Sequence, residues 1–518
     1  MSRHTLIGGH AASATSFLAL GCIGLLAAAS PALAQSEGQK ERDDAQPARL
    51  GGVTVTDTAI DEGGYKTDKA DSPKFTAPLV DTPRTVTVIP AQVIKDTASA
   101  SLTEALRTVP GITLGAGEGG NPLGDRPFIR GFDSQASMYL DGVRDIGAQS
   151  REVFAVEQIE VVKGSDSSMG GRGSAGGSLN LVSKLPTSDR FIAASGSLGT
   201  SEYKRITVDI NQPLSENIGV RLAGMWHDQD VAGRDAIWSK RWGVAPSIKF
   251  GLEGPTSLTL SYYHLESDEL PDSGIPYLYN NANVPAGTTD SQPVRNFTTI
   301  GGVKVHRPRD AYYGLKDRDF RKNNVDNVTA RIAHEFDGGI TLRNTTRYGR
   351  STQGYVWTQP DDQQGNVYGT NAANAATAGG YVWRRVNSRY SYNEGLINQT
   401  DLFGETSLFG LKHSFAASVE FAHEKAGVGS YVSDPTRSLY AGPTPNPNRP
   451  DGLYSSTAGV PISTGSMFSP RCNASALAHY NCTTVGNPNP SDPWVSYYGG
   501  DTYASLSPIQ RSLRKTWT

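Results

Sequence analysis

From residue 191 onward, apolar and polar positions alternate with a period of two over stretches of roughly ten residues. The stretches fall at 191–198, 203–212, 218–228, 242–251, 257–266, 325–336, 340–350, 390–408 and 412–425. In the third, Val220, Leu222, Gly224 and Trp226 share one face, and Arg221, Ala223, Met225 and His227 share the other. Likewise Val328, Ala330 and Ile332 oppose Thr329, Arg331 and Ala333. About ten residues suffice for a tilted strand to cross a bilayer. The connections alternate in length. Those at 212–217, 252–256, 337–339 and 409–411 are short, whereas 229–241, 267–324, 351–389 and 426–506 are long. A transmembrane β-barrel gives this rhythm, with tight turns on one rim and extended loops on the other. Tyr262, Tyr263, Tyr348, Tyr355, Trp357, Tyr381 and Trp383 near strand ends are expected to form an aromatic girdle.

Before residue 187 the pattern differs. Thr85-Val86-Thr87-Val88-Ile89 predicts a strand, and Pro90 opens a short helix through Lys95. Ser101-Leu102-Thr103-Glu104 is a capping box. Leu102, Ala105, Leu106 and Val109 then form one apolar stripe, and Pro110-Gly111 ends that helix. Between Asn121 and Lys184 short apolar runs alternate with turn residues. Asp141-Gly142 predicts a hairpin. The Gly-rich run 170–177 predicts a tight loop, because each Gly costs about 1 kcal/mol against Ala in a helix. This half reads as a small, sharply turned sheet domain.

Composition narrows the classes. The 518 residues are only 37% hydrophobic, yet include 57 Gly, 30 Pro, 22 Tyr and 7 Trp. A net charge of -3 gives no reason to expect a nucleic-acid partner. Arg3 and His4, the apolar run 17–29, and Ala32-Leu33-Ala34 before Gln35 predict a signal peptide over 1–34. A membrane anchor is the alternative, and the run is short for it. Cys472 and Cys482 remain in the mature chain. In an oxidising compartment they are expected to pair, a link worth about 2–3 kcal/mol. The other reading, a metal pair with His479, has no fourth ligand in view. The nine His are scattered, no Gly-x-Ser-x-Gly elbow is present, and the 170–177 loop lacks a Gly-Lys-Ser/Thr ending. No catalytic residue, resident metal or intrinsic cofactor is therefore expected, and the protein is not read as an enzyme.

Three motifs carry a family resemblance: Asp125-Arg126-Pro127-Phe128-Ile129-Arg130-Gly131-Phe132, Tyr139-Leu140-Asp141-Gly142-Val143-Arg144, and Ile159-Glu160-Val161-Val162-Lys163-Gly164 with Gly170-Gly171-Arg172-Gly173. They resemble the plug domain of TonB-dependent outer-membrane siderophore receptors, nearest to the catecholate-type ferric receptors. The resemblance is ordered across 52–184 and looser from 191. It implies an α+β plug, 72–186, inside an antiparallel transmembrane barrel beginning at 187. Barrels of that kind have 22 strands, and about ten are legible here. The wall is therefore expected to be partial and open, the chain truncated at its C-terminal side, without the usual terminal aromatic strand. A flexible leader is expected over 35–71, and the roughly fifteen polar residues from Gln35 to about Arg49 are expected to leave no room for an N-terminal signalling domain. The leader holds Val53-Thr54-Val55-Thr56 where the family has its TonB box, the segment on which the periplasmic partner TonB docks. An ordinary plug strand is the alternative there.

The resemblance further implies a ferric siderophore as transported ligand, already coordinating its own iron. Such a ligand is large, anionic and aromatic, so arginines, amides and aromatic faces at the outer mouth suit it. Candidates are Asn121 and Arg126 in one plug loop and Arg144, Gln149 and Arg151 in another, with Tyr277, Tyr279, Arg307, Arg309, Tyr312, Tyr313 and Trp357 from barrel loops. Arg130, and alternatively Arg126, is a candidate lock between plug and barrel carboxylates, while Asp141 and Glu160 read as plug-internal caps. Haem, cobalamin or a hydroxamate chelate as cargo, and a passive porin or adhesin barrel, are the competing functions.

Overall fold

A computed structural model describes residues 64–429, apart from 73, 117–122, 167–174, 235, 273, 279–291, 294–295, 303, 307–309, 315–318, 362–380 and 410, and describes 460–461. The segment Val53–Thr56, Asn121 and the cysteines Cys472 and Cys482 lie outside the described residues, as does the segment 1–34 expected to be a signal peptide.

The plug is built from β1 (Thr85–Pro90), β2 (Ile112–Leu114), β3 (Pro127–Ile129), β4 (Phe132–Asp133), β5 (Met138–Leu140), β6 (Val143–Arg144), β7 (Val156–Lys163) and β8 (Gly177–Ser183). Its main sheet runs β1-β7-β8-β5-β6, with β2-β3-β4 as a second small sheet. The β5–β8 pair is parallel, while β1–β7 and β7–β8 are antiparallel. Two short helices, Ala91–Asp96 and Leu102–Leu106, cover the sheet. The second starts as expected: Ser101 accepts from the Glu104 N–H and Glu104 reaches back. Its stripe of Leu102, Ala105, Leu106 and Val109 joins Ile129, Met138, Ile159, Val161 and Leu179 in one core. Burying each large aliphatic there contributes about 1.5–3 kcal/mol relative to leaving it exposed. Asp141 and Gly142 both have positive φ, 53° and 81°, which is the turn a two-residue hairpin between β5 and β6 needs.

The wall consists of β9 (Phe191–Leu198), β10 (Lys204–Ser215), β11 (Ile218–Asp230), β12 (Trp238–Phe250) and β13 (Thr256–Glu269). Short strands β14 (Tyr277–Leu278), β15 (Gln292–Pro293), β16 (Phe297–Thr298) and β17 (Lys304–Val305) follow in the long connection. Then come β18 (Phe320–Phe336), β19 (Ile340–Asp361), β20 (Tyr381–Leu408), β21 (Leu411–Gly429) and β22 (Val460–Pro461). β9 to β13 and β18 to β21 pair in sequence order, all antiparallel, with β22 added to β20. Together they make a 10-stranded sheet, a partial barrel wall. Among the described residues no helix is long and apolar enough to cross a membrane; this wall would cross with strands.

The alternation sorts faces as expected. Leu222, Trp226, Val328 and Ile332 are exposed, and Arg221, Ala223, Met225 and His227 are buried against the plug. Two expectations change. The strands run far longer than the bilayer needs, with β19 at 22 residues and β20 at 28. Above the membrane both faces of a hairpin are wet, so the apolar alternation fades while the ladder of hydrogen bonds continues. Much of what reads as the loop 351–389 is therefore strand. The girdle also splits. Tyr262 and Tyr348 face outward with Trp226 and Trp242, but Tyr355 is fully buried, and Tyr263 stacks on the plug ring of Phe154 at 5.7 Å. Neighbours in a strand point to opposite faces, so Tyr262 and Tyr263 cannot both join a girdle.

Candidate functional site

The plug and the wall meet along a seam that is partly apolar and largely ionic. Phe154 and Ala155 pack with Ala223, Met225, Leu265 and Val325. The fit depends on Gly243: a Cβ there would stand 2.8 Å from the Phe154 ring and 2.8 Å from the His264 carbonyl oxygen. Gly395 plays the same part for Ile146, whose Cδ1 would lie 2.4 Å from an added Cβ.

Two buried plug carboxylates are each held by a pair of wall arginines. Arg347 Nη2 donates to Asp141 at 3.3 Å, and Arg331 Nη2 stands 3.6 Å from the same oxygen. Arg347 Nη1 also donates to the carbonyls of Leu140 and Val143, strapping the hairpin turn from both sides. Ser183 donates to Asp141 from its N–H at 2.8 Å and its Oγ at 2.9 Å. Burial works against the Asp141 charge, but the Arg331 and Arg347 guanidiniums and the Ser183 donors outweigh it, leaving the carboxyl below the ordinary range. The second carboxylate is Glu152. Arg205 Nη2 donates to it at 2.7 Å and Arg241 Nη1 lies 2.9 Å away. Its side chain is 1% exposed. Further links are Arg144 to Glu424 at 3.0 Å, Arg221 to Glu157 at 3.0 Å, Arg321 to Ser150 Oγ at 2.9 Å, and Gln353 to the Leu123 carbonyl at 2.6 Å.

The sequence candidates take different places. Arg126 stays within the plug, donating to Asp133 at 2.9 Å with its guanidinium over the Phe128 ring. Arg130 is exposed, at a positive φ of 52°, and has no ion-pair partner among the described residues. Among the described residues it makes no link to the wall. Arg144 does, through Glu424. The main locks reverse the expected polarity, with the carboxylate on the plug and the arginines on the wall. Asp141 is thus more than a cap, whereas Glu160 is one: it accepts from Asn180 and Gln158 inside the plug.

Gln149 and Arg151 do not present themselves at a mouth. Both are buried, 4% exposed each. Arg151 donates to Asp145 at 2.7 Å and its N–H to Asp125 at 2.8 Å, while Gln149 donates to Asp145 at 3.1 Å. These bonds fold the loop 144–152 on itself and back onto Asp125 of the plug. Burial lifts the Asp125 carboxyl to about 6 in spite of Arg151. Burial also opposes the Arg151 charge, but Asp145, the closer partner, and Asp125 keep its pKa above its usual value. A cavity of about 50 Å³ remains at this seam, lined by Asp141, Asp145, Gln149, Arg151, Tyr263 and Arg347 among others. Of the barrel-loop candidates, Tyr312 and Tyr313 are fully buried, so they build the loop structure rather than a binding surface; Tyr279, Arg307 and Arg309 lie outside the described residues.

Sequence reasoning missed Glu152, Arg205, Arg241, Arg347 and Glu424. The signal available was charge on the inward face of a strand, since a guanidinium facing a closed interior requires a carboxylate across from it.

Residues 78–178 match the model of the TonB-dependent Receptor Plug Domain. The chain is 45% identical over 379 residues to the "Probable TonB-dependent siderophore receptor PiuA" of Acinetobacter baumannii, covering 73% of this chain and 48% of that protein. It is 37% identical over 406 residues to the "Catecholate siderophore receptor Fiu" of Escherichia coli strain K12, covering 78% of this chain and 50% of that one. The PiuA crystal structure superposes with a TM-score of 0.63 over 72% of this chain and 50% of that chain, at 44% identity. The closed form of Fiu does so at 0.62 over 77% and 54%, at 34% identity. The chain thus spans about half the length of the curated relatives it matches.

Proposed function

The chain belongs to the TonB-dependent receptor family, and on that premise we propose that it forms the plug and part of the wall of an outer-membrane receptor that imports a ferric, catecholate-type siderophore. The observation that carries this reading is the ionic seam. A plug meant to stay would be sealed by apolar packing. This one is clamped by discrete charge pairs at Asp141, Glu152 and Arg144, which can be exchanged for water or ligand contacts one at a time. The ligand would arrive on the side of the long connections and bear on the plug loops 117–126 and 144–152. The loop 144–152 carries Arg144, Glu152 and the Arg151 network, so a push there reaches the clamps directly.

The work comes from a partner. The segment Val53–Thr56 precedes the plug and has the β-branched character that lets it add as a strand to the edge of TonB. Deleting Thr54 to Asp57 is expected to abolish uptake while leaving surface binding of the chelate intact; undiminished uptake would refute the mechanism. Cargo is tested separately, by titrating the intact receptor with a ferric catecholate, a ferric hydroxamate and cobalamin. Tightest binding of the catecholate is expected. A porin is disfavoured because the plug is clamped to the inner face of the wall at Asp141, Glu152 and Arg144.

A further inference from the structure

Three plug residues stand in one row across the main sheet. Glu160 of β7 is directly opposite Asn180 of β8, which is directly opposite Tyr139 of β5. Glu160 and Asn180 are both buried. The stretch 68–79 packs beside this row. The Leu79 N–H donates to the Asp68 carbonyl at 2.8 Å and closes the stretch into a loop. Ala70 and Phe75 pack on Val162, and Lys74 Nζ stands 5.7 Å from the centre of the Tyr139 ring. In sequence the stretch comes between the segment 53–56 and β1, so a pull on that segment reaches it before any strand of the plug.

A chain of hydrogen bonds runs from this stretch to the Asp141 clamp. The Asp71 N–H donates to Glu160 Oε1. Asn180 Nδ2 donates to Glu160 Oε2 at 2.9 Å. The Gly142 N–H donates to Asn180 Oδ1 at 2.8 Å. Gly142 sits beside Asp141 in the β5–β6 turn, and Arg347 of the wall grips that turn through the Asp141 carboxylate and the Leu140 and Val143 carbonyls. The direction of each link is fixed. A carboxylate only accepts and a backbone N–H only donates, so the Asn180 amide can face the two in one orientation. Buried groups have no water to fall back on, so each holds the next in place.

We propose that Glu160 and Asn180 are positioning residues that relay a pull on the stretch 68–79 to the Asp141 clamp. The use of the relay rests on the import reading, which supplies the pull; its presence in the plug does not. When Asp71 is drawn off, Glu160 loses a donor and turns toward entering water. Asn180 follows its acceptor, the Gly142 N–H is left without one, and the turn gripped by Arg347 loosens. A pull from the partner's side then opens a plug–wall contact while the core at Leu102 and Leu106 stays packed. The rival route is through space, since the Asp71 carboxylate also feels the charges of Asp141, Arg331 and Arg343.

The test is hydrogen exchange of the intact receptor in detergent, without chelate or partner. Glu160→Gln sets a second amide NH₂ against that of Asn180, so one donor stays unmatched however the amides turn. Opening at 138–144 should become about tenfold or more frequent. Adding Asn180→Asp gives an acceptor to both the Gln amide and the Gly142 N–H, and should return exchange close to the parent level; a Glu160 that merely fills space would gain nothing from it. Asp71→Pro removes the first donor and should act at 138–144 as Glu160→Gln does, with little further effect when the two are combined. Asp71→Asn keeps the N–H and should act little. Because Asp71→Pro could unseat the whole stretch, the Glu160→Gln and Asn180→Asp pair decides by itself. In energised cells, Glu160→Gln should slow uptake of a ferric catecholate about tenfold with binding unchanged, and Asn180→Asp should restore it. A parent that imports nothing would sink the import reading, while the exchange results still decide the relay. Unchanged exchange in Glu160→Gln, no rescue by Asn180→Asp, or Asp71→Asn acting as strongly as Asp71→Pro would overturn the proposal.

Discussion

Replacing Asp141 by Asn separates the charge of the clamp from its shape. Asn is nearly isosteric, and it can still accept from the Ser183 N–H and meet the Ser183 hydroxyl. What goes is the negative charge facing Arg347, whose side chain is 4% exposed, and Arg331. Removing one member of a buried ion pair costs about 3–5 kcal/mol, because the remaining charge is left uncompensated. At about 1.4 kcal/mol per power of ten, local opening of the β5–β6 hairpin should become roughly two to three and a half powers of ten more frequent. Glu152 is clamped independently by Arg205 and Arg241, so the effect should be confined. Hydrogen exchange followed by mass spectrometry is the assay. Peptides spanning 138–144 should lose protection, and peptides around 101–106 and 152 should not. Unchanged protection at 138–144, or an equal loss everywhere, would show that the arginine pair does not hold the plug. The pH dependence has a definite sign. The Asp141 carboxyl is depressed by its partners, so its contribution is present above the ordinary carboxylate value and is lost only as pH falls through the lower folded value. The clamp should therefore survive mild acid down to about pH 4.

Other expectations follow from the same geometry. Asp125 behaves oppositely, since burial raises its carboxyl to about 6: its favourable contribution is complete below about pH 4 and is lost as pH rises through 6, so Asp125→Asn should gain on the parent by on the order of 3 kcal/mol between pH 4 and pH 8, measured as denaturant midpoints at each pH. A pH-independent difference would show that Asp125 is already ionised throughout. Gly243→Val should cost about 1–3 kcal/mol or displace Phe154, because the new side chain meets both a ring and a backbone carbonyl; loss of plug protection in hydrogen exchange checks it, and a parent-like pattern counts against the tight seam. Arg144→Glu and Glu424→Arg should each loosen the loop 144–152 by about 1 kcal/mol, as both partners are partly exposed, and the double exchange should restore it.

Some of this protein was written in the chain itself. The period of two placed the wall strands and their faces. Ser101 and Glu104 announced a helix start, Asp141-Gly142 a hairpin, and the apolar stripe of Leu102, Ala105, Leu106 and Val109 a core. Each of these rests on contacts within a few residues, which is why local reading finds them. The chemistry of the seam was not legible in that way. Glu152 lies 53 residues from Arg205, and Arg144 lies 280 from Glu424. Nothing local distinguishes Arg130, which ends exposed, from Arg144, which grips the wall, because the difference is set by which strand curves opposite. Strand length escaped for a related reason: above the membrane, pairing continues through backbone groups that carry no side-chain signature. Local propensity fixed the elements and their faces. Only the placing of the wall strands against the plug decided which buried charges would meet, since a charge can remain buried only where the fold brings its counterpart.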